Sequence, residues 1–240
     1  MTVHHTWHGD VLELALDRPE RRNAVDHATL VELAHGLDEA SRARALVVTG
    51  RGGAFCAGAD LTGVEGDEFG AALSKVLRGL VALPVTTIAA VDGAALGAGS
   101  QLAIACDLRV ATPRSRFGVP ASKLGLMVDE WTVQRFAALA GGSLARSVLL
   151  AAEEVDASRG HAVGFVHRLG DLAEALAWAD KIAALAPLSV AGHKLALERA
   201  TATVGDPEVQ AMFARVWRSA DAVEGRTAFL EKRPPRFTGA

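Results

Sequence analysis

Residues Gly93–Ala111 read GAALGAGSQLAIACDLRVA. Glycines at 93, 97 and 99 crowd the start of an apolar helix, expected over Gly97–Cys106, which runs into the apolar strand LRVAT at 108–112. Just upstream, TTIAAVDG at 86–93 is a β-rich apolar run of strand length. Strand, glycine turn, helix and strand in that order make a βαβ unit, and such units build parallel sheets wrapped by helices.

The same alternation extends towards the N-terminus. VLELALDRP alternates apolar and polar positions from Val11 and stops at Pro19, as a strand does. DHATLVELAHGLDEASRA sets Leu30, Leu33, Ala34 and Leu37 at helical spacing, with Asp26 as a suitable N-cap. ALVVTG at 45–50 is a short buried strand that leads into a glycine-rich loop, Gly50–Gly58, and a helix is expected from about Gly66 to Leu83, ahead of Pro84. After about residue 130 the segments WTVQRFAALAG, LARSVLLAAEEV, LAEALAWADKIAALAP, SVAGHKLALERA and EVQAMFARVW all carry helical periodicity. The expectation is an α/β core over 1–187 and a helical region over 188–240, a tail of the kind that often serves oligomerisation.

Composition narrows the function classes. Half of the 240 residues are hydrophobic and 22% are charged, enough for a real core. A net charge of −3 argues against a general nucleic-acid binder. No run approaches 18 apolar residues, so no membrane span is expected. Two cysteines, Cys56 and Cys106, each in an apolar stretch, suit a reduced cytoplasmic protein. His4, His5 and His8 lack metal-site spacing and read as part of a strand end, while His161, His167 and His193 fall in the helical region.

Three chemistries compete for the glycine-rich helix start. A dinucleotide site would use GAALGAG to seat a pyrophosphate on a helix N-terminus. Short-chain dehydrogenases that use this pattern also need a tyrosine, and the chain has none. A serine nucleophile at Ser100 would want glycine two residues before and two after, where Ala98 and Leu102 stand. The third is an oxyanion hole built from two backbone amides, one on each of the turns AFCAGADL (54–61) and ALGAGSQL (95–102). Tight helix–strand packing explains one such turn easily and two together less easily, and at this point packing and function both stay open.

The blocks RPERRNAV, VVTGRGGAFCAGADL, PVTTIAAVDGAALGAGSQLAIACDLRVA, FGVP and FLEKRPPRF, from about Leu12 to Phe237, together resemble the crotonase (enoyl-CoA hydratase/isomerase) superfamily. The resemblance implies a crotonase (ClpP-like) spiral of ββα units with a C-terminal helical trimerisation region, assembled as a homotrimer or a dimer of trimers. It implies an acyl-CoA thioester as ligand, coenzyme A being part of that ligand, with no separate cofactor and no metal. By position, Ala59 and Ala98 supply the oxyanion-hole amides. Arg21, Arg22, Ala24, Ala57, Asp60, Leu61, Gly97, Gly99, Trp131 and Lys232 fall on the substrate-binding surface. Arg18 and Arg233 are further phosphate candidates.

The chain departs from the family's hydratases where it matters. The two glutamates that handle water's protons fall on positions occupied here by Gln101 and Ala121, and neither residue titrates. Asp129 lies where several family isomerases carry a catalytic aspartate, and it equally suits the N-cap of the helix EWTVQRFAALAG. The expected function is an acyl-CoA-binding member of fatty-acid or related acyl-CoA metabolism, deficient in standard hydration. It is either isomerase-like through Asp129 or a non-catalytic acyl-CoA binder, the alternative being an ordinary enoyl-CoA hydratase of β-oxidation.

Overall fold

A computed structural model of the chain describes residues 1–62, 67–200, 214 and 216–236. Its elements run β1 (Val3–His8), β2 (Val11–Leu16), α1 (His27–Ala40), β3 (Ala45–Gly50), α2 (Asp67–Ala82), β4 (Thr86–Val91), β5 (Ala94–Leu96), α3 (Ala98–Ala105), β6 (Leu108–Ala111) and β7 (Arg116–Gly118). Then come α4 (Glu130–Ala140), α5 (Gly142–Leu150), β8 (Val155–Asp156), α6 (Ala157–Ala162), β9 (Arg168–Leu169), α7 (Leu172–Ala183), α8 (Pro187–Ala200) and α9 (Ala220–Leu230). The helix expected over 208–217 lies almost wholly outside the described residues, as do Phe237 and the start expected at Gly66.

β2 is paired antiparallel to β1 and parallel to β3, and it is buried at every residue because α7 packs on the face of Val11 and α1 on the face of Leu14. The sheet continues in parallel through β4, β6 and β9, giving the order β1-β2-β3-β4-β6-β9. Parallel strands of this kind are covered by helices on their faces, so they read as near-continuous apolar runs. One face packs Val11, Val47, Ile88 and Val110 against Ala175 and Ala179 of α7. α1 packs against β1, β2 and α2, and Asp26 caps it as expected, accepting from the Thr29 N–H at 2.8 Å. A second sheet takes the short strands in the order β5-β7-β8. Strands of the two sheets alternate with helices along the chain, in keeping with the crotonase spiral of ββα units that the resemblance implies.

The chain divides into two compact units, one of Met1–Phe117 with Val155–Ala200, the other of Gly118–Glu154 with the chain from Thr201 on. The boundary expected at 187/188 falls inside α8 of the first unit. Helical periodicity marks where helices are, not which of them group together. In the second unit α9 packs so tightly that a Cβ on Gly225 would lie 1.9 Å from the Leu124 carbonyl oxygen. The Trp217 Nε1–H there donates to the Met127 carbonyl at 3.0 Å.

All three N-terminal histidines lie in β1, each against one carboxylate: His4 with Asp17, His5 with Glu39 and His8 with Glu13, at 2.9, 2.7 and 2.8 Å. No group of three or more metal-ligating side chains occurs among the described residues. No single helix among them is long and apolar enough to cross a membrane.

His167 is a structural acceptor rather than a surface group. The Arg109 backbone N–H donates to its Nδ1 at 3.2 Å, which requires a neutral ring nitrogen. Burial, assisted by the Arg109 guanidinium, lowers its pKa to about 4, whereas a free histidine titrates near ~6.5. A base with a depressed pKa contributes its stability above the unfolded value, and that stability drains away as pH falls from ~6.5 towards 4. We expect the chain to lose about 1–2 kcal/mol across this window through His167, less than the full shift implies because the ring is partly open to solvent and its interactions are screened. Chemical denaturation at about pH 7 and pH 4.5 should show that loss shrinking in His167→Gln, whose amide oxygen accepts the same N–H.

Candidate functional site

Residues 56–60 form a strap between two neighbours. On one side the Cys56 N–H donates to the Ala94 carbonyl at 2.9 Å, and the Leu96 N–H donates to the Cys56 carbonyl at 3.0 Å. On the other side Ala57 N–H donates to Arg22 (3.0 Å), Val25 N–H to Gly58 (2.9 Å) and Asp60 N–H to Val25 (2.8 Å). Because the Gly58 carbonyl and the Asp60 N–H both face Val25, the intervening Ala59 N–H faces away from that loop.

What lies across is the turn that starts α3. A Cβ placed on Gly97 would come within 3.8 Å of the Gly58 Cα. Gly97 is the N-cap of α3 with φ 52, a conformation that glycine adopts without strain. Ala98 is the first helical residue, so its N–H has no partner within the helix. Among the described residues neither the Ala59 nor the Ala98 amide donates to a backbone carbonyl. The two turns, some forty residues apart in sequence, therefore lie against each other, and each carries an amide without a backbone acceptor among the described residues, one of them at a helix N-terminus where negative charge is favoured.

Gly99 makes the approach possible. A Cβ there would lie 2.1 Å from the Cys56 carbonyl oxygen, well inside contact distance. The other polar groups of α3 have structural duties or no titration. Ser100 is fully buried and its hydroxyl donates to the Ala95 carbonyl at 2.7 Å, which removes it as a nucleophile. Gln101 is buried one helical turn after Ala98. Burial pushes the thiols of Cys56 and Cys106 up to about 12, so neither supplies a thiolate.

The loop before α1 corrects one expectation. Arg18 is not available to a phosphate: its Nη1–H donates to the Ala24 carbonyl at 2.6 Å, and its Nη2 meets Asp60 and Asp26 at 3.0 and 3.1 Å. Asp60, expected on the substrate surface, is buried and also accepts from the Thr62 hydroxyl at 2.6 Å; that bond and Arg18 hold its carboxyl below the usual range despite burial. Arg21 and Arg22 remain exposed, Ala24, Ala57 and Leu61 half-buried.

Sequence reasoning missed Asn23, which is buried at φ 57 and whose side chain bonds the Arg18 N–H and the carbonyls of Arg51 and Ala54 at 2.7, 2.8 and 2.6 Å. The signal was present, since asparagine is the residue other than glycine that most readily takes a left-handed turn. Val25, the backbone partner of Ala59, left no signal of its own.

Ala121, Asp129, Trp131 and Lys232 belong to the second unit. Asp129 caps α4, its Oδ1 accepting from the Thr132 N–H at 3.1 Å and from the Thr132 hydroxyl. Trp131 is buried, and Ala121 sits in the turn Pro120–Leu124, where its carbonyl accepts from Leu126 N–H at 2.9 Å. Lys232 is exposed, whereas Arg233 is engaged by Glu224 and Glu231 at 2.6 Å each.

The family model described as enoyl-CoA hydratase/isomerase matches residues 6–240. The chain is 42% identical over 237 residues to the probable enoyl-CoA hydratase echA6 of Mycobacterium tuberculosis, covering 96% of each chain. It is 35% identical to the 2,3-dehydroadipyl-CoA hydratase of Escherichia coli, with 95% of both chains covered. Among solved structures, an enoyl-CoA hydratase from Mycobacterium avium subsp. paratuberculosis superposes with a TM-score of 0.88 at 28% identity, over 99% of each chain. A methylmalonyl-CoA decarboxylase in complex with 2-nitronate-propionyl-CoA shares the fold, with a TM-score of 0.92 at 24% identity over 100% of this chain and 99% of that one.

Proposed function

Because the chain belongs to the enoyl-CoA hydratase/isomerase family, we propose that it binds an acyl-CoA thioester with the carbonyl oxygen between the amides of Ala59 and Ala98, and that it does so without hydratase chemistry. The observation that carries this reading is the pair of uncommitted amides on adjoining turns. When electron density moves onto a thioester oxygen, fixed donors at that oxygen stabilise the charge, typically by about 3–4 kcal/mol for one donor. The relatives named for enoyl-CoA and 2,3-dehydroadipyl-CoA hydration support the ligand class.

Hydration also needs a group to deliver and a group to remove a proton. Gln101 and Ala121, at the positions where the family resemblance puts the glutamates, do neither. Losing positioned acid–base groups costs about 10²–10⁴-fold each. The expected result is binding of crotonyl-CoA with hydration at least 10⁴-fold below that of an active family hydratase, read as loss of enoyl absorbance; efficient hydration would overturn this reading.

A second reading keeps one proton-transfer group. That group is Asp129, assigned by the family resemblance alone as the base for moving a proton along an enolate; its Oδ1 also caps α4. In the same experiment Asp129→Asn, which still caps a helix, separates the two roles. On the isomerase reading it loses turnover of enoyl-CoA isomers by about 10²–10⁴-fold. With no turnover of any isomer by the parent protein, binding alone remains. An assembly of three or six copies and a cytoplasmic setting accompany the reading as expectations, tested by sedimentation and by fractionation.

A further inference from the structure

We propose that Arg18 and Asp60 are positioning residues: their ion pair fixes where the Ala59 N–H points and so how strongly the paired turns polarise a thioester carbonyl. The inference rests on the reading of Ala59 and Ala98 as oxyanion donors. Ala59 has no side chain beyond a methyl group to anchor it. Its direction is set by its neighbours, the Gly58 carbonyl and the Asp60 N–H, both bonded to Val25. Val25 in turn follows a loop in which Arg22 and Asn23 stand at φ 51 and 57, a region that side-chain-bearing residues avoid and that needs neighbouring bonds to hold it.

One guanidinium closes this arrangement. Arg18 bonds the Ala24 carbonyl, directly before Val25, at 2.6 Å, and the Asp60 carboxylate, directly after Ala59, at 3.0 Å. The planar fork thus ties together the two segments whose spacing aims the amide, a task that the single point charge of a lysine does not perform. Side-chain exposures of 15% for Arg18 and 10% for Asp60 keep the pair largely out of water, where such bonds stay directional. Asp26 shares the same Nη2 at 3.1 Å, which couples the clamp to the cap of α1. Arg18 engages Nη1 with Ala24 and Nη2 with Asp60 and Asp26, so the effect of its loss is expected at the carbonyl rather than on coenzyme A.

Three probes read this out by calorimetry on the full chain. Coenzyme A reports the phosphate and adenine contacts, S-propyl-CoA adds the acyl chain without a carbonyl, and 2-nitronate-propionyl-CoA adds an anionic, enolate-like head. Misplacing a donor by about 1 Å can cost on the order of 10²-fold. The expected result for Asp60→Asn and for Arg18→Lys is a loss of at least about 10-fold in nitronate affinity, with the other two probes unchanged. The double variant should do no worse than either single one, because the two residues act as a unit.

Equal weakening of all three probes, or undiminished nitronate affinity, overturns the clamp. Should the parent protein bind the nitronate no better than the thioether, the oxyanion reading itself fails, a result distinct from a failed clamp. If Asp60→Asn does not fold by circular dichroism, Arg18→Lys, which keeps the charge, decides alone.

Discussion

An Ala98→Pro variant should fold, bind coenzyme A normally and lose about 100-fold in affinity for an enolate-like thioester analogue. Ala98 is the first residue of α3, the one helical position where proline is favoured, because its fixed φ suits the helix and the missing N–H has no helical partner. The preceding Gly97 has no Cβ to clash with the proline ring. The substitution therefore removes one donor and sets a methylene where it stood, with little cost to the helix. Affinity for S-propyl-CoA, which has no carbonyl, is the internal control. A nitronate affinity within a factor of about two of the parent's, well short of the expected loss, would remove Ala98 from the site.

Gly99→Ala should be among the most damaging single-methyl changes in the chain. In a helix interior alanine is ordinarily better than glycine by about 1 kcal/mol. Here the new Cβ would sit 2.1 Å from the Cys56 carbonyl oxygen, and that carbonyl already accepts the Leu96 N–H at 3.0 Å. Relief requires α3 to lift or the strap to give up its bond. We expect a loss of about 3 kcal/mol or more, seen as a fall of about 10 °C in the melting temperature. Gly70→Ala in α2 is the matched control: nothing lies within 4 Å of its added methyl, and it should be neutral or slightly stabilising. Equal melting temperatures for the two variants would show that α3 does not press on the strap.

Both predictions concern backbone groups, and this is why the site was only half legible in the sequence. Glycines at 58, 97 and 99 announce two turns that admit close approach, and Gln101 and Ala121 announce missing carboxylates, because residue type alone carries those facts. The role of Arg18 was not legible. A lone arginine beside Arg21 and Arg22 looks the same whether it faces a ligand or an aspartate 42 residues away. Asp129 was legible as a cap, since the aspartate and the helix it starts are adjacent in sequence.

β2, α1, β3, α2, β4, α3 and β6 follow from the chain itself, because apolar runs and helical spacing record which parts of each segment are buried. β5, β7, β8 and β9 escaped, being two or three residues long and too short to show any period. The family, too, is written in the sequence, in blocks whose order and spacing leave little else to choose. What only the tertiary structure decided is adjacency: that Cys56 bridges Ala95, that Ala59 turns its N–H away from Val25, and that residues 118–154 group with the chain beyond 200. Such contacts depend on strand pairing and hydrogen bonds between segments far apart along the chain, and local pattern carries no record of which distant segment will be the partner.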